Sequence, residues 1–301
     1  MVAHRTGPRQ ASDVTGPSGV AGSRVSPVTA NRRDRVPAGA RVRGDDRAGD
    51  GDVDRERVVQ LARLPWTEVA RRAAAGTWLA VPVGSTEQHG PHLPLSTDTD
   101  LATALAAALA GRRGDVLVGP ALPYGSSGEH AGFAGTLSIG QQATRLLLVE
   151  LVRSATATFR RVLLVVGHGG NAEPVNAAVH LLRAEGRHVL GWAPSLPGDA
   201  HAGAVETSLM LALRPRTVRA GVAVPGDVRP LDELMPALRS GGVRAVSPTG
   251  ILGDPTSADA RTGDRLFRRA LDDLAATVER WAGTPDRPAT SAGRRRGGRR
   301  R

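Results

Sequence analysis

The chain has 301 residues, no cysteine and a formal net charge of +11. That length allows one large domain or two small ones with an adequate core. The missing cysteines exclude disulfides, thiolate metal sites, iron–sulfur clusters and a cysteine nucleophile, so any metal must be held by His, Asp or Glu.

Residues 1–52 are rich in Gly, Pro, Ser, Arg and Asp without apolar periodicity and read as disordered, as does 286–301, which ends in GRRRGGRRR. Nine Arg against five Asp give +4 to residues 1–50, and seven Arg against Asp286 give +6 to 286–301, which leaves +1 for the body, 51–285. The tails therefore read as solvated segments, with non-specific contact to nucleic acid or anionic surfaces as the alternative. No specific nucleic-acid partner is expected. Neither a run of about 18 apolar residues nor a signal-peptide core occurs, so a cytoplasmic protein with no membrane partner is expected.

Between the tails, Trp78–Val83 (WLAVPV) reads as a buried strand and Asp100–Leu109 as a helix. Val116–Leu122 reads as a second strand, Gln141–Phe159 as a helix and Val162–Val166 (VLLVV) as the clearest strand. A helix over Asn171–Ala184 and a strand over His188–Trp192 follow. This alternation predicts an α/β fold: a single three-layer α/β/α domain over 53–285 with a mainly parallel sheet. In such sheets, sites form beyond the carboxyl ends of the strands.

Two chemistry-bearing stretches fall there. GSTEQHGPHLPLSTDTD follows WLAVPV and offers Glu87, His89 and Asp98; GHGGN follows VLLVV and offers His168. Mixed nitrogen and oxygen donors of this kind hold zinc, iron(II) or manganese. Glu87 and His89, two apart, share a face in an extended segment. Asp98 sits where a helix begins, so it is a candidate N-cap, a metal ligand or both. His168, framed by Gly167, Gly169 and Gly170, is either a satisfied core histidine or part of a site, and Asn171 can cap the next helix.

Further on, HAGAVETSLMLAL places His201 on a loop and Glu206 in the first turns of an apolar helix. Five residues span about 500° of helix, so the two would not share a face if both were helical. Glu206 is either a helix-start carboxylate favoured by the dipole or one held by a metal. The Gly-rich YGSSGEHAGFAGTLSIG should wall the site with Tyr124, Glu129, His130 and Phe133. Glu129 and His130 could be an acid/base pair or supports for the ligands.

These four blocks, over nearly all of residues 75–215, resemble the creatininase family of metal-dependent amide hydrolases. GGVRAVSPTGILGDPTSADARTGDRLF looks like the branch of that family that acts in the mycofactocin system. The resemblance implies one or two divalent ions (Zn, Fe(II) or Mn) on Glu87, His89, Asp98 and His168, with Asp98 bridging if two bind. It implies His201 as the catalytic acid/base and a homo-oligomer. Creatininase carries a further Glu ligand two positions after the residue equivalent to His168; here that position is Gly170, and Glu206 could supply the carboxylate. The departure bears on creatinine specificity more than on hydrolysis. The implied substrate is a modified precursor peptide cut near its C-terminus. A small-molecule amidohydrolase, and a non-enzymatic protein with a structural metal and basic tails, are the other readings.

Overall fold

Successive side chains on a strand point to opposite faces, and the strands of this chain are apolar on both. The computed structural model describes residues 59–284; the segments 1–52 and 286–301, expected to lack order, lie outside the described residues. Strands β1 (Trp78–Val83), β2 (Val116–Val118), β3 (Val162–Val166) and β4 (Val189–Trp192) form a parallel sheet in the order β2-β1-β3-β4. Among the described residues the α-helices are α1 (Trp66–Ala74), α2 (Thr97–Arg113), α3 (Gly140–Ala155), α4 (Ala172–Ala184), α5 (Ala204–Leu213), α6 (Leu231–Val246) and α7 (Ala260–Ala282).

Ala80, Leu163 and Val165 project to one face, where Leu105 and Leu109 of α2, Leu209 of α5 and Leu274 of α7 bury them. Val81, Leu164 and Val166 project to the other, against Leu148 and Val152 of α3 and Val175 and Leu182 of α4. Each fully buried Leu contributes roughly 1.5–3 kcal/mol. The result is the expected three-layer α/β/α arrangement with a parallel sheet.

Boundaries differ from expectation for identifiable reasons. β2 stops at Val118 because Gly119 and Pro120 follow, and a proline cannot donate to a ladder. Leu122 still bridges to Val83. α3 stops at Ala155 rather than Phe159; the Thr156 hydroxyl donates to the carbonyls of Val152 and Arg153, a local bond that competes with helix continuation. α2 starts at Thr97, three residues earlier than expected. Helices α1, α6 and α7 had not been expected, and α6 is broken at Gly242 (φ 67°). No described helix is long and apolar enough to cross a membrane.

The register pairs Val83 with Val166, so β1 and β3 end side by side. Gly84 and Gly167 come next, and both face the first turn of α2. A Cβ on Gly84 would strike the Thr99 backbone, and one on Gly167 would strike the Asp98 carbonyl oxygen. Both glycines are therefore conditions for α2 to lie directly across the two strand ends. Asn171 locks the arrangement: its side chain donates to Gly84 O (2.8 Å) and accepts from Ser126 N (2.9 Å). It stands at the N-cap of α4 but makes no side-chain capping bond there, so the expected cap is corrected to a tie between loops.

Gly167→Ala should separate α2 from β3 and destabilise the fold by roughly 1–3 kcal/mol. Urea unfolding measures this, and an unchanged midpoint would show that the close approach is not needed.

Candidate metal centre

Asp98 lies inside the first turn of α2, not at its N-cap, which is Ser96. The capping role is thus excluded, while a carboxylate in the first helical turn still gains from the dipole. Its Oδ2 accepts from Ser85 Oγ at 2.6 Å and faces His168 Nδ1 at 3.2 Å. Its Oδ1 faces His89 Nε2 at 3.2 Å. One buried carboxylate thus joins an imidazole delivered by the β1 end to one delivered by the β3 end. Burial alone would raise Asp98 and lower both histidines, but their mutual attraction wins. Asp98 is held well below the usual carboxylate range, His89 is raised to about 10, and His168 is raised as well.

Glu87 is fully buried, and neither carboxylate oxygen has a hydrogen-bond partner. Its neighbours are nonetheless close: His130 Nε2 is 3.2 Å from Oε1 and His168 Nε2 is 3.1 Å from Oε2. Nitrogen and oxygen atoms gathered at these distances without hydrogen-bond alignment could hold a cation. Leaving such a group bare is costly, and burial, reinforced by Asp98, pushes Glu87 up to about 8. The residue types and their separations fit a divalent ion; Glu87, His89 and Asp98 offer atoms within 4.8 Å of one another, as do His89, His201 and Glu206.

His201 enters on a loop, bridged to Leu252, and Glu206 follows in the first turn of α5. Glu206 Oε2 accepts from Ala202 N at 2.6 Å and lies 3.8 Å from His89 Nε2. Glu206 thus engages the helix entry and also faces the cluster. Ala202 between them has a φ of 53°, a left-handed conformation that a non-glycine residue adopts at a cost. His201 Nδ1 lies 3.9 Å from Glu206 Oε2 and 4.0 Å from Glu87 Oε1. Burial lowers His201 well below an ordinary histidine and takes His130 to about 4.

Comparison with known proteins agrees with this geometry. The family model described as Creatininase: Creatinine amidohydrolase matches residues 62–278. The chain belongs to the creatininase family. It is 53% identical over 214 residues to the mycofactocin precursor peptide peptidase of Mycolicibacterium smegmatis, covering 69% of this chain and 85% of that protein. A solved creatinine amidohydrolase (creatininase) aligns with a TM-score of 0.64 and 28% identity, covering 76% of this chain and 99% of that one. A structure of creatininase with Mn aligns with a TM-score of 0.61 and 28% identity, covering 74% and 98%.

Within this creatininase fold, Gly170 replaces the expected extra Glu for a steric reason. A Cβ there would collide with Glu129 Oε1, His168 Nε2 and Ser126 O. Glu129, brought by the 128–130 turn, fills that space, with Oε1 3.5 Å from His168 Nε2. Besides Asp98, His89 faces a second carboxylate, Glu206 on α5, at 3.8 Å. Of the wall residues, Phe133 packs with Leu234, Val243 and Leu252 under the Arg244 guanidinium and anchors α6 to the 128–133 loop. Tyr124 is half exposed and shares no hydrogen bond or ion pair with the cluster among the described residues. Three polar residues of the centre went unread in the sequence: Ser85, His92 and Gln88. His92 sits in the HGPH run and meets Thr207 Oγ1 at 2.8 Å. Gln88 lies between the two expected ligands Glu87 and His89.

A folded Glu87 that holds its proton up to about pH 8, against about 4.5 in the unfolded chain, loses stability for the fold as pH rises between those values. Metal-free Glu87→Gln should therefore melt at or above wild type at pH 8, while added Zn2+ or Mn2+ should raise the wild-type Tm more than the variant's. A variant that melts lower without metal and gains from it as much as wild type would contradict the assignment of Glu87.

Proposed function

We propose that this chain is a divalent-metal-dependent hydrolase that cuts an amide bond near the C-terminus of the modified mycofactocin precursor peptide. The geometry supports the chemistry through one observation, the buried Glu87 carboxylate ringed by histidines yet without a hydrogen bond. The substrate rests on the 53% identity to a relative named for it. His89, Asp98 and Glu206 would hold one ion, and Glu87, Asp98 and His168 a second, with Asp98 shared; zinc, iron(II) and manganese all suit these donors. Such ions polarise a carbonyl and make water more acidic.

The remaining work falls to the chain's own residues. Hydrolysis adds hydroxyl to the acyl carbon and a proton to the departing nitrogen. His201 Nδ1 faces the cluster and is deprotonated at neutral pH because burial lowers it. It takes the proton from the attacking water and hands it to the leaving amine. Glu129, just over a third exposed, stands at the open side of His168, where N–H groups of a bound peptide would meet it. A homo-oligomer belongs to the same reading: Trp66, Leu137 and Leu146, each more than half exposed, are surfaces an assembly would cover.

His201→Ala should retain its metal and lose about 10²–10⁴-fold in kcat, as metal analysis and turnover on the modified peptide report; loss of metal would make His201 a ligand instead. Wild-type enzyme should cut the modified precursor peptide faster than creatinine at equal metal loading. The reverse order would reject the peptidase reading and leave amide hydrolysis standing.

A further inference from the structure

Gln88 is nearly inaccessible and its amide is surrounded by groups that fix its orientation. Oε1 lies 2.9 Å from the Gly90 N–H, which can only donate, and Nε2 lies 3.1 Å from the Gly250 carbonyl, which can only accept. The amide therefore has one allowed orientation. Nε2 is also 2.8 Å from His130 Nδ1 and 3.0 Å from His201 Nε2. Only two protons are available for these three contacts.

The backbone of the same residue removes the ambiguity. His201 Nε2 sits 2.9 Å from the Gln88 carbonyl oxygen, so that ring nitrogen must carry a proton and donate it. It cannot then accept from the side chain. The two amide protons go to Gly250 O and to His130 Nδ1. His130 must keep a lone pair on Nδ1, which places its proton on Nε2, the nitrogen facing Glu87 Oε1 at 3.2 Å. A protonated Nε2 has no lone pair for a metal.

We propose that Gln88 is a positioning residue that assigns opposite tasks to two buried histidines whose rings lie 4.4 Å apart. Through its side chain it puts the His130 proton on Nε2, which faces Glu87 Oε1 at 3.2 Å without hydrogen-bond alignment, and so keeps His130 out of the metal's ligand set. Through its carbonyl it bares His201 Nδ1 toward the cluster. Without this device, Glu87, His130 and His201 would be an equally good set of ligands, since their donor atoms also lie within 4.8 Å of one another. The residue between two ligands thereby decides which neighbours are ligands and which are not. The catalytic meaning of the bare Nδ1 rests on the hydrolase reading above; the tautomers themselves do not.

The test is 15N–1H long-range correlation NMR of the histidine rings in the full chain, metal-free and loaded with diamagnetic Zn2+. His130 should show a protonated Nε2 and bare Nδ1, and His201 a protonated Nε2, in wild type. Gln88→Glu removes the donor and offers an acceptor, so His130 should move its proton to Nδ1 while His201 keeps its own on Nε2. Outer-shell changes of this kind lower metal affinity or turnover about 10–100-fold, and here kcat should fall with KM little changed. A wild-type His130 protonated on Nδ1, or a His130 signal indifferent to Gln88→Glu, overturns the proposal. The wild-type spectrum decides even if the variant folds poorly. Absent hydrolysis of the peptide together with the expected tautomers would reject the substrate reading and keep this one.

Discussion

The contact between Asp98 and its two imidazoles governs the rest of the molecule. Each Asp98 oxygen meets a ring nitrogen at 3.2 Å, one from the loop after β1 and one from the loop after β3. A carboxylate can do this only if its helix starts directly over both strand ends. That demand reaches into the backbone, where Gly84 and Gly167 leave no side chain between sheet and helix. It also reaches into the loops, which Asn171 ties together from beneath. The sheet's level ending at Val83 and Val166 is what lets one helical turn serve both sides.

Concentrating ionisable groups in a dry pocket works against stability, and the two apolar faces of the sheet are what offset it. Among the buried groups, Asp98 and its histidines stabilise one another as a proton-holding cluster, whereas for Glu87 burial and the Asp98 charge outweigh the attraction of His168 and His89. A cation bound here would resolve both at once, satisfying Glu87 and displacing protons from the imidazoles. Folding, protonation and metal uptake are coupled through the same few atoms. The sharing of work between Glu206 and Glu129 follows from packing. Glu129 occupies the volume where a side chain at 170 would begin, and Glu206 reaches toward His89 from α5.

Sequence patterns were readable where one physical cause dominates. Continuous apolar, β-branched runs defined β1 and β3 to the residue, because both faces of those strands are buried. The strand-end rule points to Glu87, His89 and His168, which the structure brings together beyond the ends of β1 and β3. The start of α2 was not readable, since STDTD contains several residues able to cap or begin a helix, and only the close approach to Gly84 and Gly167 selects Thr97. The α6 helix was obscured by Pro236 and a glycine pair, and Phe133, expected at the substrate, is spent on anchoring it. α7 carries an apolar stripe of Leu266, Ala270, Leu271, Leu274 and Val278 at helical spacing. Gln88 had no sequence signal, because its importance arises from Gly250 and His201, residues more than 100 positions away.

Anomalous diffraction from crystals grown with Mn2+ or Zn2+ tests the central claim most directly. Two peaks per chain should flank Asp98, one in contact with His89 and Glu206 and the other with Glu87 and His168, and both should weaken together in Asp98→Asn. A metal bound without contact to Asp98, or one held by His130, would contradict the account.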